Sequence, residues 1–114
     1  MVLKVKIIKP SGILDSTKSQ EFREKIAESL ESGAKIVLVD LEDVTFMDSS
    51  GLGALVLAFK TLRAVESKLV VCSMNEQVRI LFELTGMDKV FEIFIDQDEF
   101  KKAEVFKSES ALDI

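Results

Sequence analysis

The stretch Met47-Asp48-Ser49-Ser50-Gly51-Leu52-Gly53 holds the side chains best suited to chemistry: one acid, two hydroxyls and two glycines in seven residues. Serine beside aspartate supports two kinds of role. The hydroxyl can be chemically used, as a nucleophile for instance, or it can cap a helix. Nucleophilic hydrolysis fails on inventory, because a Ser-His-Asp triad needs a histidine base and the chain contains no histidine. The surrounding letters are also not G-x-S-x-G, and no S-x-x-K follows either serine. Gly51-Leu52-Gly53 lacks the spacing of a dinucleotide fingerprint and the lysine of a P-loop.

Without histidine, and with Cys72 inside the apolar run Leu69-Val70-Val71-Cys72, only carboxylates such as Asp40, Asp43 and Asp48 could take a hard cation. These three are expected to cap turns and solvate a sheet edge. No metal and no cofactor is expected. Cys72 reads as a small buried hydrophobe, and a single cysteine permits no internal disulfide.

The elements around this stretch explain its place. Lys35 to Val39 is a continuous aliphatic run, the pattern of a strand buried on both faces of a parallel sheet. Val44-Thr45-Phe46-Met47 is a second, shorter extended piece. Downstream, Leu52, Leu55, Val56, Phe59 and Leu62 recur at helical spacing, predicting a helix from about Ser50 to Ser67. The hydroxyls therefore lie where a strand ends and a helix begins, among free N–H groups at the positive end of a helix dipole. One reading makes one serine the N-cap and the other a first-turn residue. A second leaves one hydroxyl exposed and chemically used. Two glycines in a first turn favour the second reading, since each costs about 1 kcal/mol against alanine within a helix. They imply a close approach to the backbone by a phosphate, a nucleotide or another protein.

The remaining chain alternates. Val2 to Ile8 predicts an edge or near-edge strand, with Leu3, Val5 and Ile7 on one side and Lys4 and Lys6 on the other. Pro10-Ser11-Gly12 ends or bends it, and Ile13 and Leu14 lead to Asp15. A first helix is expected near Thr17, capped by a Thr17–Gln20 box, with Phe22, Ile26 and Leu30 as its apolar stripe and Gly33 as its left-handed close. Lys68 to Ser73 predicts the next strand. Asn75 or Ser73 is expected to cap a third helix with Val78, Leu81, Phe82 and Thr85 on one face and Gly86 at its end. Lys89 to Ile95 predicts a last strand, and Asp96-x-x-Glu99 opens a final helix containing Phe100, Ala103 and Phe106. Residues 1–107 are read as one domain and 108–114 as a flexible tail. Strand and helix in alternation with short connections imply an α/β fold, a single domain of four to five mostly parallel or mixed strands and about four helices. Asp15 then follows a strand and precedes a helix, as Asp48 does, so both can open onto one sheet edge. By itself its expected role is to support the first helix.

Bulk composition narrows the partners. The 114 residues carry 20 acids and 15 bases, a net charge of −5, which argues against a non-specific nucleic-acid binder. The longest apolar stretch, Leu52 to Phe59, falls far short of the ~20 residues a membrane helix needs. No signal peptide is visible, and the expected location is the cytoplasm.

Phe46-Met47-Asp48-Ser49-Ser50-Gly51-Leu52-Gly53, set after Val37-Leu38-Val39-Asp40-Leu41, resembles the signature of bacterial anti-sigma factor antagonists, which are single STAS domains. Ser11-Gly12-Ile13-Leu14-Asp15 resembles the family's Gly-x-Leu-Asp segment, and the similarity extends through Arg79 to Gly86. The resemblance implies that Ser49, directly after the aspartate, is the phosphorylation site. Its kinase would be a partner, often the anti-sigma factor itself, and a metal-dependent Ser/Thr phosphatase would reverse the mark. Unphosphorylated, such a protein binds the anti-sigma factor and frees the sigma factor. The partner-binding set carried over is Asp15, Asp48, Ser49, Ser50, Gly51 and Gly53, on a protein that is not an enzyme. A STAS scaffold or small-ligand sensor without phosphorylation is the alternative. Many members carry two strands before the Gly-x-Leu-Asp segment, whereas this chain has room for one. The expected edge is therefore open or paired with another chain, giving a monomer or weak homodimer.

Overall fold

The computed structural model describes the backbone of residues 4–112 and the side chains of residues 4–104. Its elements are β1 (Val5–Ile8), β2 (Gly12–Leu14), α1 (Ser19–Glu31), β3 (Ile36–Asp40), β4 (Val44–Met47), α2 (Ser49–Ala64), β5 (Lys68–Cys72), α3 (Glu76–Thr85), β6 (Glu92–Phe94) and α4 (Gln97–Leu112). Short 3-10 turns, Ser16–Lys18 and Met87–Lys89, precede α1 and β6.

The main sheet has the order β1-β3-β5-β6 and every pairing is parallel. β3 lies between β1 and β5, so both its edges and both its faces are covered, and all five of its residues are buried. That environment is what an unbroken aliphatic run requires. Val37 and Val39 point into the larger core with Phe22 and Ile26 of α1, Leu55 and Leu62 of α2 and Phe82 of α3. Ile36 and Leu38 point the other way, onto Val70, Cys72 and Phe100 of α4. Three helices thus cover one face, and α4 covers the other. Phe82 and Phe91 meet edge-on at 5.4 Å, as do Phe94 and Phe100.

The thinner cover explains a departure in β1. Ile8, on the three-helix face, is buried, whereas Ile7 is 45% exposed and Val5 only half-buried. The expected inward set of Leu3, Val5 and Ile7 is corrected accordingly. Leu3 lies outside the described residues.

A second, two-stranded parallel sheet pairs β2 with β4. The strand β2 was not expected, because its three residues follow a Pro-Ser-Gly bend and carry no periodicity. It exists because β4 offers it a partner: the Gly12 N–H donates to the Asp43 carbonyl at 2.9 Å, and Ile13 stands beside Phe46. Gly12 has φ +74°, a turn suited to glycine.

Helix ends follow their caps. Asp15, rather than Thr17, opens the first helical segment. Its carboxylate accepts from the Thr17 N–H at 3.0 Å and the Thr17 hydroxyl at 2.5 Å, and α1 itself begins at Ser19. Asn75 caps α3, accepting from the Val78 N–H at 2.9 Å, and Gly86 closes it at φ +74°. Asp96 accepts from the Glu99 N–H and the Glu99 carboxylate from the Ile95 N–H. The last strand is shorter than the expected Lys89 to Ile95, because Lys89 is taken by the 3-10 turn and the Val90 and Phe91 N–H groups donate back to the Met87 carbonyl. α4 continues to Leu112, so residues 108–112 of the expected tail have a helical backbone, and the side chain of Phe106 lies outside the described residues.

Candidate functional site

Three helical segments begin at one end of the main sheet, where its parallel strands point their carboxyl ends, the usual place for function in such folds. Asp15 starts the first, Asp48 the second and Asn75 the third. The backbone joins two of them directly, because the Asp48 N–H donates to the Leu14 carbonyl at 3.3 Å. Asp15 and Asp48 therefore stand on neighbouring strand ends, as their positions in the chain suggested.

The cap of α2 is Asp48. Its side-chain oxygen accepts from the Gly51 N–H at 2.9 Å, and its backbone is extended, with φ −103°. The reading in which one serine is the cap is corrected by this bond. Ser49 becomes the first residue of the helix, with Ser50 second, and both are exposed. The carboxylate answers the helix's free N–H groups and leaves the adjacent hydroxyls facing solvent.

The two glycines serve different ends. Gly51 is buried, and a Cβ built on it would lie 2.0 Å from the Leu14 carbonyl oxygen and 3.1 Å from Met47 Cγ. The close approach it permits is to this chain's own β2, not to a foreign backbone. Gly53 is exposed, and a Cβ there would meet nothing within 4 Å. Only Gly53 leaves open backbone on the surface of α2.

Two exposed apolar side chains outside the partner-binding set accompany the serines on the paired strands β2 and β4. Ile13 and Phe46, paired across β2 and β4, are 52% and 45% exposed. Leu57, one helical turn beyond Gly53, is 51% exposed. Together they give an otherwise polar edge an apolar fringe of the kind that marks contact surfaces. Their signal in the sequence was weak: Phe46 reads as a strand residue and Ile13 as part of a connection, with nothing to show that they face outward.

Electrostatics are set locally. The Thr17 hydroxyl, followed by the Thr17 N–H, holds the Asp15 carboxyl below the usual range against mild desolvation. Burial of Asp40 at the end of β3 opposes its ionisation. Hydrogen bonds from the Gln97 amide at 2.6 Å, the Glu42 N–H at 3.0 Å and the Ser73 hydroxyl outweigh burial and keep its carboxyl below the ordinary value. Asp43 meets Lys9 at 3.8 Å. Asp40, Asp43 and Asp48 are thus engaged in a turn, an ion pair and a cap. Among the described residues no group of three or more His, Cys, Asp or Glu side chains could hold a metal ion. Cys72 is buried, as its apolar run implied.

The sequence and the fold both match known proteins. The STAS domain family model matches residues 2–100. The anti-sigma-B factor antagonist of Listeria monocytogenes is 34% identical over 83 residues, 73% of this chain and 73% of that protein. An anti-sigma factor antagonist from Mycobacterium paratuberculosis superposes with a TM-score of 0.77 at 25% identity, covering 87% of this chain and 84% of that one. The Bacillus cell fate determinant SpoIIAA, solved in its phosphorylated form, shares the fold with a TM-score of 0.68 at 20% identity, over 90% of this chain and 94% of that one. The chain belongs to the STAS domain family, and within it stands with the anti-sigma factor antagonists.

Proposed function

We propose that this protein is a phosphorylation-switched binding module of the cytoplasm. In its unphosphorylated form it binds an anti-sigma factor that is also a serine kinase, and so frees a sigma factor. Ser49 is the phosphoacceptor. A Ser/Thr phosphatase restores the binding form. The observation that carries this reading is the division of labour at the start of α2: Asp48 caps the helix, so the exposed Ser49 hydroxyl is available to a kinase.

The surface around it suits a protein partner. Asp15, Asp48, Ser49, Ser50 and Gly53 present the polar part, while Ile13, Phe46 and Leu57 supply apolar area. Gly51 contributes from beneath, by letting α2 sit against Leu14. The anti-sigma-B factor antagonists among the relatives support the anti-sigma partner, and SpoIIAA exists in a phosphorylated form on the same fold. Chemistry of its own is not required of the domain, which acts by binding. The net charge of −5 fits a protein partner better than nucleic acid. Among the described residues no helix is long and apolar enough to cross a membrane.

One observation favours a small-ligand sensor instead. A cleft of about 80 Å³ between the end of β1 and α1 is lined by Lys9, Lys18, Glu21 and Lys25 together with the apolar Ile8, Leu14 and Phe22.

The test is intact-mass analysis after incubation with ATP and native lysate, paired with pull-downs. The wild type retains an anti-sigma partner without ATP, and with ATP it gains one phosphate and loses much of that partner. Ser50→Ala behaves alike, Ser49→Ala gains none, and Ser49→Asp loses much of its partner. Phosphate taken up by Ser49→Ala at the normal rate would sink the assignment.

A further inference from the structure

The start of α2 is held from one side by Leu14 and from the other by a side chain of α3. The Gln77 amide makes two hydrogen bonds to a single residue, Met47. Its Oε1 accepts from the Met47 N–H at 2.9 Å, and its Nε2 donates to the Met47 carbonyl at 2.8 Å. A primary amide has one acceptor oxygen and two donor hydrogens, so the pair reproduces what a neighbouring strand would offer β4 at that point. Asn75, two residues earlier, donates from Nδ2 to the Val44 and Thr45 carbonyls at 3.2 Å each. The amide side chains at the start of α3 thus line the flank of β4 as a substitute strand.

We propose that Gln77 is the positioning residue for the phosphoacceptor, fixing Met47 and through it Asp48 and the Ser49 hydroxyl. The inference rests on the proposed role of Ser49. Its physical content is a chain of short bonds. Gln77 fixes both backbone groups of Met47, the next residue's N–H is held by Leu14, and that residue's carboxylate holds the Gly51 N–H. Ser49 lies inside this chain, two residues from the clamp. Its own side chain has no part in the cap, so its place is inherited from its neighbours. Phosphoryl transfer depends on the acceptor oxygen being held in line, and a displacement of about 1 Å can lower a rate a hundredfold. The exposed apolar side chains Ile13 and Leu57 lie on β2 and farther along α2, outside the clamped residues. A kinase should therefore still dock on a protein whose Gln77 clamp is gone, yet meet a hydroxyl that is poorly placed.

The experiment uses the full chain with Gln77→Met, of similar length and without hydrogen bonds, and with Leu84→Ala as an exposed control on the same helix. Two readouts are taken: hydrogen exchange at the bonded amides of Met47, Asp48 and Gly51, and phosphate transfer from ATP by the kinase activity of native lysate across a range of domain concentrations. In Gln77→Met, exchange at these amides should accelerate tenfold or more. The saturating transfer rate should fall at least tenfold, with the half-saturating concentration changed less than twofold, and Leu84→Ala should match the wild type in both. Unchanged exchange at these three amides, or an unchanged saturating rate, overturns the inference. A general loss of packing would instead raise exchange throughout β3 and β5 and overturns it too. If the wild type takes no phosphate, the reading of Ser49 fails, and the exchange data alone decide whether Gln77 positions the junction.

Discussion

A methyl group on Gly51 would sit 2.0 Å from the Leu14 carbonyl oxygen. β2 and α2 are therefore packed as closely as backbone allows, and the Asp15 and Asp48 turns move as one unit. Gly51→Ala must push that contact apart. The expected loss is about 1–3 kcal/mol, the range for overpacking, read as a lower midpoint in urea. Gly53→Ala has open space around the new methyl and relieves a helical glycine, so it should gain up to about 1 kcal/mol. A drop in partner affinity for Gly53→Ala, without loss of stability, would identify Gly53 as backbone that the partner touches.

Phosphorylation of Ser49 should barely alter the fold. The phosphate adds about −1.5 to −2 charges. The helix start favours an anion by about 0.3–1 kcal/mol, while Asp48 opposes it by a comparable amount, so the net change lies within about 1 kcal/mol. A partner packed on Gly53, Ile13 and Phe46 must instead desolvate that charge, at several kcal/mol if it stays unpaired. Each ~1.4 kcal/mol is tenfold in affinity. Calorimetry should show binding weakened tenfold or more, with a melting temperature almost unmoved. Widespread loss of amide protection in α2 on phosphorylation would mean that release is an unfolding event.

Asp40 should contribute to stability in a pH-dependent way. Its carboxyl titrates lower in the folded protein than the ordinary 3.8, because bonds from Gln97, Glu42 and Ser73 outweigh its burial. Below neutrality the unfolded chain then takes up the proton first. The stabilisation is complete above the ordinary carboxylate range and is lost as pH falls through the folded value. Asp40→Asn should lower stability at pH 6 and flatten the acid limb of a urea-midpoint profile between pH 5 and 3, in which window an unaltered slope would refute the assignment.

The edge of β1 should support weak self-association. Among the described residues β1 ends the main sheet, and Ile7 is 45% exposed beside Lys6. Unpaired edge groups favour strand addition, and the lysines oppose it. Sedimentation velocity should show a concentration-dependent dimer that strengthens with salt as lysine repulsion is screened. A monomer at high concentration in high salt would dispose of it.

How much of this could be read from the chain depended on the range of each interaction. β3 was legible because burial on both faces demands unbroken aliphatic residues. The third helix was legible because Asn75 and Gly86 carry their capping chemistry locally. The caps of the first two helices were misplaced onto Thr17 and the serines, since Asp, Ser and Thr serve equally in that role and stood side by side in both places. β2 was missed because three residues show no period. Gln77 left no trace at all: its bonds to Met47 span 30 positions, and an exposed-face glutamine on a helix looks like any other. The need for Gly51 was visible, but its reason was not, because Leu14 lies 37 positions away in sequence.

Cys72 has a practical consequence. Burial, first among its influences, pushes its thiol up to about 11, so only about one molecule in ten thousand is thiolate at pH 7. An exposed cysteine with an ordinary pKa near 8.5 would react hundreds of times faster on that ground alone. The native cysteine can therefore stay in place when a fluorophore is attached elsewhere. A dye on Thr61→Cys, exposed on α2 one turn beyond Leu57, would give each partner-binding event its own optical signal from beside the contact surface.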